Sequence, residues 1–298
     1  MRGLMFLSLL VGCGGDDAPV NDDTSDTDGG SGTHLADHWA LQDTFLNIAH
    51  RGGSALGPEN TLEAMQLSVD AGVKVVEFDL FMTSDGHLII IHDETVDRTT
   101  NGTGRIQDMT LAEAQALDAG YYFTVDGGVT YPFRGTGVKL PTWDEAMARF
   151  PDLYWDVEVK QNDPPIYDEV VASIEAAGIR DRVFIAMFDD ATAKAFREDY
   201  PTWVTNMSDS EYAAWAAVPE TEEANYTPPG LIPQIWDVFY NDSLPAKADR
   251  TGVKLHVWTI NDRTKMETMI SEGVDGLITD DPITLFEVMA EQGVVQDL

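Results

Sequence analysis

Lys74-Val75-Val76-Glu77-Phe78-Asp79-Leu80-Phe81-Met82-Thr83-Ser84-Asp85-Gly86-His87-Leu88-Ile89-Ile90-Ile91-His92 is the stretch from which the rest of the chain is read. Residues 74–81 and 87–92 are apolar and β-branched enough to be strands, and the turn between them is too short for a parallel crossover. The two strands therefore form a hairpin about Asp85-Gly86. Folding back about that turn brings His92 opposite the neighbourhood of Glu77 and Asp79. Side chains alternate faces along a strand, so Glu77 and Asp79 share one face while Val76 and Phe78 take the other. A charge left buried and unpaired costs several kcal/mol, so two carboxylates on an inner face call for a cation.

The same alternation recurs at Tyr154-Trp155-Asp156-Val157-Glu158-Val159-Lys160, where Asp156, Glu158 and Lys160 share a face. Outward from these two strands the chain alternates short β-branched runs with helical stretches. Strands are expected at 45–50, 183–188, 202–207, 238–240, 254–260 and 276–279, and helices at 60–71, 166–177, 191–200 and 262–272. Repeated β-then-α units build a parallel sheet with helices outside it, and residues 44–298 have the length of a (β/α)8 TIM barrel, about 250 residues. Barrel interiors are ordinarily filled by Val, Ile and Leu, so inward charges near strand ends read as a site. Oxygen-only ligands select a hard cation such as Mg²⁺, Ca²⁺ or Mn²⁺ over zinc. His50 and His92 each end a strand, and imidazole suits proton transfer near neutrality. His34, His38, His87 and His256 are assigned no role.

Charge excludes several functions. Among 298 residues, 18 Lys plus Arg face 52 Asp plus Glu, a net charge of −34. Such a surface repels phosphate backbones and anionic headgroups, which argues against nucleic-acid binding and against membrane docking through a basic patch. The one cysteine rules out an internal disulfide and a Cys-based zinc site.

That cysteine closes a leader. Met1-Arg2-Gly3 precedes the apolar run Leu4–Val11, too short to span a bilayer, and Leu10-Val11-Gly12-Cys13 resembles a bacterial lipobox. The resemblance implies a signal peptide over 1–13 and lipidation at Cys13. Residues 14–43 begin with a Gly-, Ser- and Asp-rich tract too poor in apolar groups to fold, and read as a flexible acidic tether. The expectation is an exported protein whose only membrane contact is its lipid anchor, facing the periplasm or cell exterior.

A set of short motifs in order completes the reading. His50-Arg51-Gly52, Pro58-Glu59-Asn60-Thr61, Glu77-Phe78-Asp79, Thr83-Ser84-Asp85-Gly86, His92-Asp93, Glu158-Val159-Lys160, Trp258-Thr259-Ile260-Asn261 and Thr279-Asp280-Asp281-Pro282 resemble the glycerophosphodiester phosphodiesterase family from about residue 47 to 282. That resemblance implies a TIM barrel with an insertion after the second histidine strand, here about 93–141, with a helix expected over 111–119. It implies His50 and His92 as the acid/base pair, and Glu77, Asp79 and Glu158 as ligands of one divalent cation. Arg51 and Lys160 would hold phosphate oxygens, Glu59 would orient Arg51 or the glycerol end, and Trp258 would wall the pocket. Near Phe188 the family has a Ser-Phe pair where this chain has Met187-Phe188, which bears on the pocket wall and not on the chemistry.

The expected reaction is metal-assisted hydrolysis of a small-molecule glycerophosphodiester to glycerol 3-phosphate and an alcohol, with a bell-shaped pH dependence. Either histidine can be the base, and the attacking group can be water or the adjacent glycerol hydroxyl. Two other functions fit the same barrel. One is a phospholipase D or sphingomyelinase D-like enzyme acting on intact lipid, which long apolar loops would favour; the 93–141 insertion is mostly polar and Gly-rich. The other is a surface-anchored binding lipoprotein without catalysis, against which both histidines and all three carboxylates speak.

Overall fold

The computed structural model describes residues 35–298, so Cys13 and the leader lie outside the described residues. Eight strands make one sheet: β1 Leu46–Ala49, β2 Val75–Met82, β3 Leu88–Ile90, β4 Tyr154–Val159, β5 Val183–Ala186, β6 Gln234–Trp236, β7 His256–Trp258 and β8 Gly276–Thr279. Seven run in the order β5-β4-β2-β1-β8-β7-β6, their neighbours pairing in parallel, and β3 folds back antiparallel on β2. The hairpin register sets Leu80 against Ile90 and Met82 against Leu88, as the four-residue turn requires.

An eighth parallel segment closes the ring between β5 and β6. Thr205 bridges Ile185 and Asn206 bridges Ile232, although residues 202–207 do not form the full strand expected. The Asn206 side chain takes over part of the ladder, its amide oxygen accepting from the Met187 N–H at 2.8 Å. The result is a (β/α)8 barrel.

Ten helices are described: α1 Leu62–Asp70, α2 Leu111–Ala114, α3 Trp143–Arg149, α4 Tyr167–Ala177, α5 Asp190–Asp199, α6 Asp209–Ala217, α7 Glu220–Glu223, α8 Leu244–Thr251, α9 Arg263–Glu272 and α10 Pro282–Gln292. Side-chain caps set several starts: Thr61 accepts from the Ala64 N–H, Asp262 from Lys265 and Asp281 from Thr284. The outward residues Val76, Phe78 and Leu80 of β2 and Trp155, Val157 and Val159 of β4 pack beneath the helices. Phe78, Trp143 and Trp155 meet there with ring centroids 4.9–5.5 Å apart. None of the described helices is long and apolar enough to cross a membrane.

Three expectations need correction. The tether does not extend to residue 43: Trp39 is buried against Tyr154 and Phe184 (centroids 4.9 and 5.7 Å), filling the space between strand starts. Beside it, buried His38 lies 3.2 Å from the Val183 carbonyl. The strand expected at 238–240 is a 3₁₀ turn, with Val238 and Phe239 exposed, because β6 lies four residues earlier and turns Gln234 inward. The helix expected over 111–119 stops at Ala114, and the Ala119 N–H donates to the Val138 carbonyl instead.

The sheet's first and last strands are neighbours. β1 and β8 pair over four residues, and the Asp297 N–H donates to Thr44 Oγ1 at 2.9 Å.

Candidate active site

Strand ends carry the ionisable residues. The β2–β4 register puts Glu77 opposite Asp156 and Asp79 opposite Glu158. As a result one carboxylate oxygen from each of Glu77, Asp79 and Glu158 lies within 4.8 Å of the others. Burial, reinforced by Asp79, Asp156 and Glu158, pushes the Glu77 carboxyl well above the usual range. Burial also raises Glu158, to about 7, against the opposing pull of Lys160. Asp79 goes the other way: burial would raise it, but the charges of Lys160, His92 and Arg51 and the Asn60 amide outweigh that. An all-oxygen set, two of whose members are disfavoured as isolated anions, fits a hard divalent cation.

Two cations stand beside this trio. Lys160 Nζ lies 2.6 Å from Glu158 Oε1 and 3.4 Å from Asp79 Oδ1. Arg51 sits in a turn whose residues Arg51, Gly52 and Gly53 all have positive φ, at 50°, 82° and 93°. A non-glycine residue there costs about 1–2 kcal/mol. The turn aims the Arg51 N–H at Glu77 Oε2, 2.7 Å away. A Cβ on Gly53 would lie 2.2 Å from Ser68 Oγ, so only glycine lets the turn pack on α1. The guanidinium reaches Glu59 Oε1 at 2.9 Å, while its buried Nε has no hydrogen-bond partner and stands 3.8 Å from Asp79 Oδ2.

Each expected histidine has its own carboxylate. His50 Nδ1 lies 2.6 Å from Asp280 Oδ1, and His50 Nε2 lies 4.0 Å from Glu77. Asp280 also accepts from Ser54 Oγ and Asn261 Nδ2, both at 2.6 Å. Burial would raise the Asp280 carboxyl, but these bonds and the neighbouring imidazole hold it down at about 2. His92 Nδ1 lies 2.7 Å from Asp93 Oδ1. Burial lowers the pKa of His92, and Lys160 and Arg51 add to the effect against the opposing pull of Asp79.

Arg98 joins the two arms. Its Nε donates to Asp93 Oδ2 at 2.6 Å, and its terminal nitrogens reach the two oxygens of Glu59 at 2.6 and 2.7 Å. One guanidinium thereby braces the partner of His92 and the partner of Arg51.

A cavity of about 270 Å³ opens among these groups, lined by His50, Arg51, Glu77, His92, Glu158 and Lys160 and also by Phe188 and Trp258. Every expected site residue among those described borders this cavity or, as Glu59 on Arg51 and Asp79 on Lys160, touches a residue that does; Cys13 lies outside the described residues. The glycerophosphoryl diester phosphodiesterase family model matches residues 50–284.

This chain belongs to that family.

A glycerophosphodiester phosphodiesterase of Caldanaerobacter subterraneus subsp. tengcongensis is 33% identical over 256 residues, which cover 83% of this chain and 99% of that protein. An Oleispira antarctica phosphodiesterase solved in complex with the product sn-glycerol-3-phosphate is 25% identical, with TM-score 0.66 over 82% of this chain and 96% of its own. A putative glycerophosphoryl diester phosphodiesterase from Silicibacter pomeroyi shares the fold, with TM-score 0.70 at 23% identity, covering 88% of this chain and 99% of that one. Family membership makes the chain an enzyme acting on phosphodiesters.

Sequence reasoning gave no role to four residues that shape this site: Asn60, Asp93, Arg98 and Asp280. Asn60 has a local signal, because asparagine tolerates the left-handed backbone it adopts (φ 57°), from which its amide reaches Asp79 Oδ2 at 2.8 Å. Asp93 follows His92 directly and lay within a quoted motif. Arg98 is five residues from Asp93 but reaches Glu59, 39 residues away, only through the fold, as Asp280 reaches His50 across 230 residues.

Proposed function

We propose that this chain hydrolyses glycerophosphodiesters to sn-glycerol 3-phosphate and an alcohol, with His50 and His92 as the acid/base pair and a divalent cation at Glu77, Asp79 and Glu158. The observation that carries this reading is a pair of imidazoles, each anchored through Nδ1 to its own carboxylate, bordering one cavity with an acidic trio. The product named for the Oleispira complex is the one this reaction releases. A bound cation supplies neutralisation of phosphoryl-oxygen charge.

The protein's own residues do the rest. The Arg51 guanidinium and Lys160 donate to the phosphoryl oxygens, a local attraction that overcomes the chain's net negative field. His92, favoured in its neutral form by burial, directs its Nδ1 proton to Asp93 and accepts at Nε2 a proton from the attacking water, whose oxygen bonds to phosphorus. As the bond from phosphorus to the alcohol oxygen breaks, His50 delivers a proton to the departing alkoxide, its ring held in place by Asp280.

Release of sn-glycerol 3-phosphate from glycerophosphocholine, with lysophosphatidylcholine as the comparison, tests the reading. Chelator-sensitive turnover of the first alone is expected. Turnover of the lipid alone would instead make this a lipid phosphodiesterase, and turnover of neither would make it a binding protein. In the same reading the enzyme is exported and held to a membrane by acylated Cys13. Cys13→Ser should then move it to the soluble fraction, and equal partition of both forms would overturn the anchor.

A further inference from the structure

The end of the barrel opposite the cavity is covered by the chain itself. Residues 35–43 run across the strand starts as a strap, with Trp39 seated between Tyr154 and Phe184 and Ala40 buried beside it. At its far end Asp43 meets Lys254 Nζ at 2.7 Å. Just beyond, the chain is fixed: Thr44 Oγ1 accepts from the Asp297 N–H, and the Leu46 N–H donates to the Asp275 carbonyl. The reaction proposed above uses none of the strap's residues.

His38 holds the strap through both ring nitrogens. The Ala40 N–H donates to Nδ1 at 3.3 Å, capping the 3₁₀ turn Trp39–Leu41, and Nε2 lies 3.2 Å from the Val183 carbonyl oxygen at the start of β5. A backbone N–H gives a proton and a carbonyl takes one, so both contacts need the neutral ring with its proton on Nε2. A second proton has only Nδ1 to occupy. There it would face the Ala40 N–H, setting donor against donor and undoing the cap.

The charges around the ring do not cancel this. Burial lowers the His38 pKa from 6.5 to about 4, with Arg180 acting in the same direction and Asp181 and the Val183 carbonyl against it. Arg182, 3.9 Å from Asp152, lies over the Tyr154 ring at 5.4 Å. On the strap itself stand the exposed Asp37 and the Lys254-paired Asp43. His38 is the one imidazole among these groups.

A second buried imidazole marks the barrel interior. His256 of β7 lies 6.0 Å from Phe184, fully buried, and among the described residues neither of its ring nitrogens has a hydrogen-bond partner. A Cβ on Gly276 would come within 2.9 Å of that ring, so the barrel wall is closed around it. His256 can take a proton only when the barrel opens. The two histidines therefore separate release of the strap from unfolding of the barrel.

We propose that residues 35–43 are an acid-released strap: a proton on His38 Nδ1 expels the strap from the strand-start end while the barrel stays folded. The released ring keeps its proton in water, so opening takes up one proton. Docking is at full strength above pH 6.5 and weakens as pH falls toward 4, where the docked ring is protonated as well. Release uncovers Tyr154 and Phe184 and frees the strap to extend the chain that leads to the barrel.

Hydrogen exchange of the full chain, read by mass spectrometry from about pH 7.5 to 4 and corrected for the intrinsic pH dependence of exchange, tests this. The opening constant of strap peptides should rise about tenfold per pH unit below 6.5, about 300-fold by pH 4, while β1 and β7 peptides keep their protection. His38→Gln, whose amide takes up no proton, should abolish the slope. A flat wild-type profile, or an unchanged slope in His38→Gln, overturns the strap. So does joint loss of protection in strap and β7 with a two-proton slope, which is the barrel unfolding with His256 included. If His38→Gln leaves the strap undocked at every pH, the His38 ring is titrated by NMR in wild type. Proton uptake that coincides with strap opening supports the proposal, and a strap that opens with His38 still neutral overturns it.

Discussion

Replacing Arg98 with methionine should cut turnover far more than stability. The change removes three charge-assisted bonds, one to Asp93 and two to Glu59, but the side chain is 47% exposed, so solvent screens them. Their loss should cost about 1–2 kcal/mol, a fall in melting temperature of roughly 2–8 °C for a domain of this size. The effect on rate is larger because Arg98 braces His92 through Asp93 and Arg51 through Glu59. A displacement of about 1 Å in a group that handles the reacting atoms can cost about 10²-fold. Asp93 and Glu59 remain within reach of their histidine and arginine, so the expected loss in kcat/KM is about 30- to 100-fold rather than complete. Lysine at this position keeps the charge but not the fork and should fall between wild type and methionine. Steady-state kinetics on both variants make the measurement, with free guanidinium added to Arg98→Ala as a rescue. A folding defect is not rescued by guanidinium, whereas a missing brace is. Rates for Arg98→Met within threefold of wild type, at a lowered melting temperature, would refute the idea that this guanidinium positions the two arms.

Other predictions concern the acidic trio, the histidines and the fold's acid stability. A divalent cation at about 100 times its dissociation constant should stabilise the protein by about 2.7 kcal/mol, or roughly 5–10 °C, in calorimetry with and without chelator. Glu77→Gln should lose most of that response while its metal-free form is no less stable, since one of the mutually repelling carboxylates is gone; an unchanged response would remove Glu77 from the ligand set. His50→Ala and His92→Ala should each lower kcat about 10²–10⁴-fold with little change in circular dichroism, and a near-normal rate in either would excuse that residue. His38, held neutral by burial with its pKa lowered from 6.5 to about 4, takes up its proton in the unfolded chain first. Its contribution is full above pH 6.5 and lost as pH falls toward 4, about 3 kcal/mol in all. His38→Gln should therefore flatten the denaturation profile between those limits, and a parallel profile would show that His38 does not set it.

Local rules made the catalytic strands legible. Four residues between two apolar runs allow only a hairpin, and period-two alternation then assigns Glu77, Asp79 and Glu158 inward and Val76, Phe78 and Val157 outward, as found. Where one residue had to be matched to a distant partner, sequence offered no purchase. Trp39 is a lone aromatic just after a polar tract, and its burial depends on the space between Tyr154 and Phe184. Val238 and Phe239 look like a buried strand but lie exposed at the barrel mouth, while the strand itself carries an inward glutamine that hydropathy would not select. Thr205 and Asn206 close the barrel with bridges and a side-chain hydrogen bond, so a strand pattern there was only half right.

The pairing of β1 with β8 makes the barrel a closed loop in which residue order is a historical accident. His50 and Asp280 stand near opposite ends of the polypeptide, yet 2.6 Å separates them, and Thr44 and Asp297 are already hydrogen-bonded. Joining the ends of residues 35–298 with a short linker, and cutting instead at the exposed Asp126-Gly127 turn in the insertion, would produce a circular permutant in which the dyad lies within one continuous stretch. Such a protein would carry the same chemistry with its first and last strands relocated to the middle of the gene.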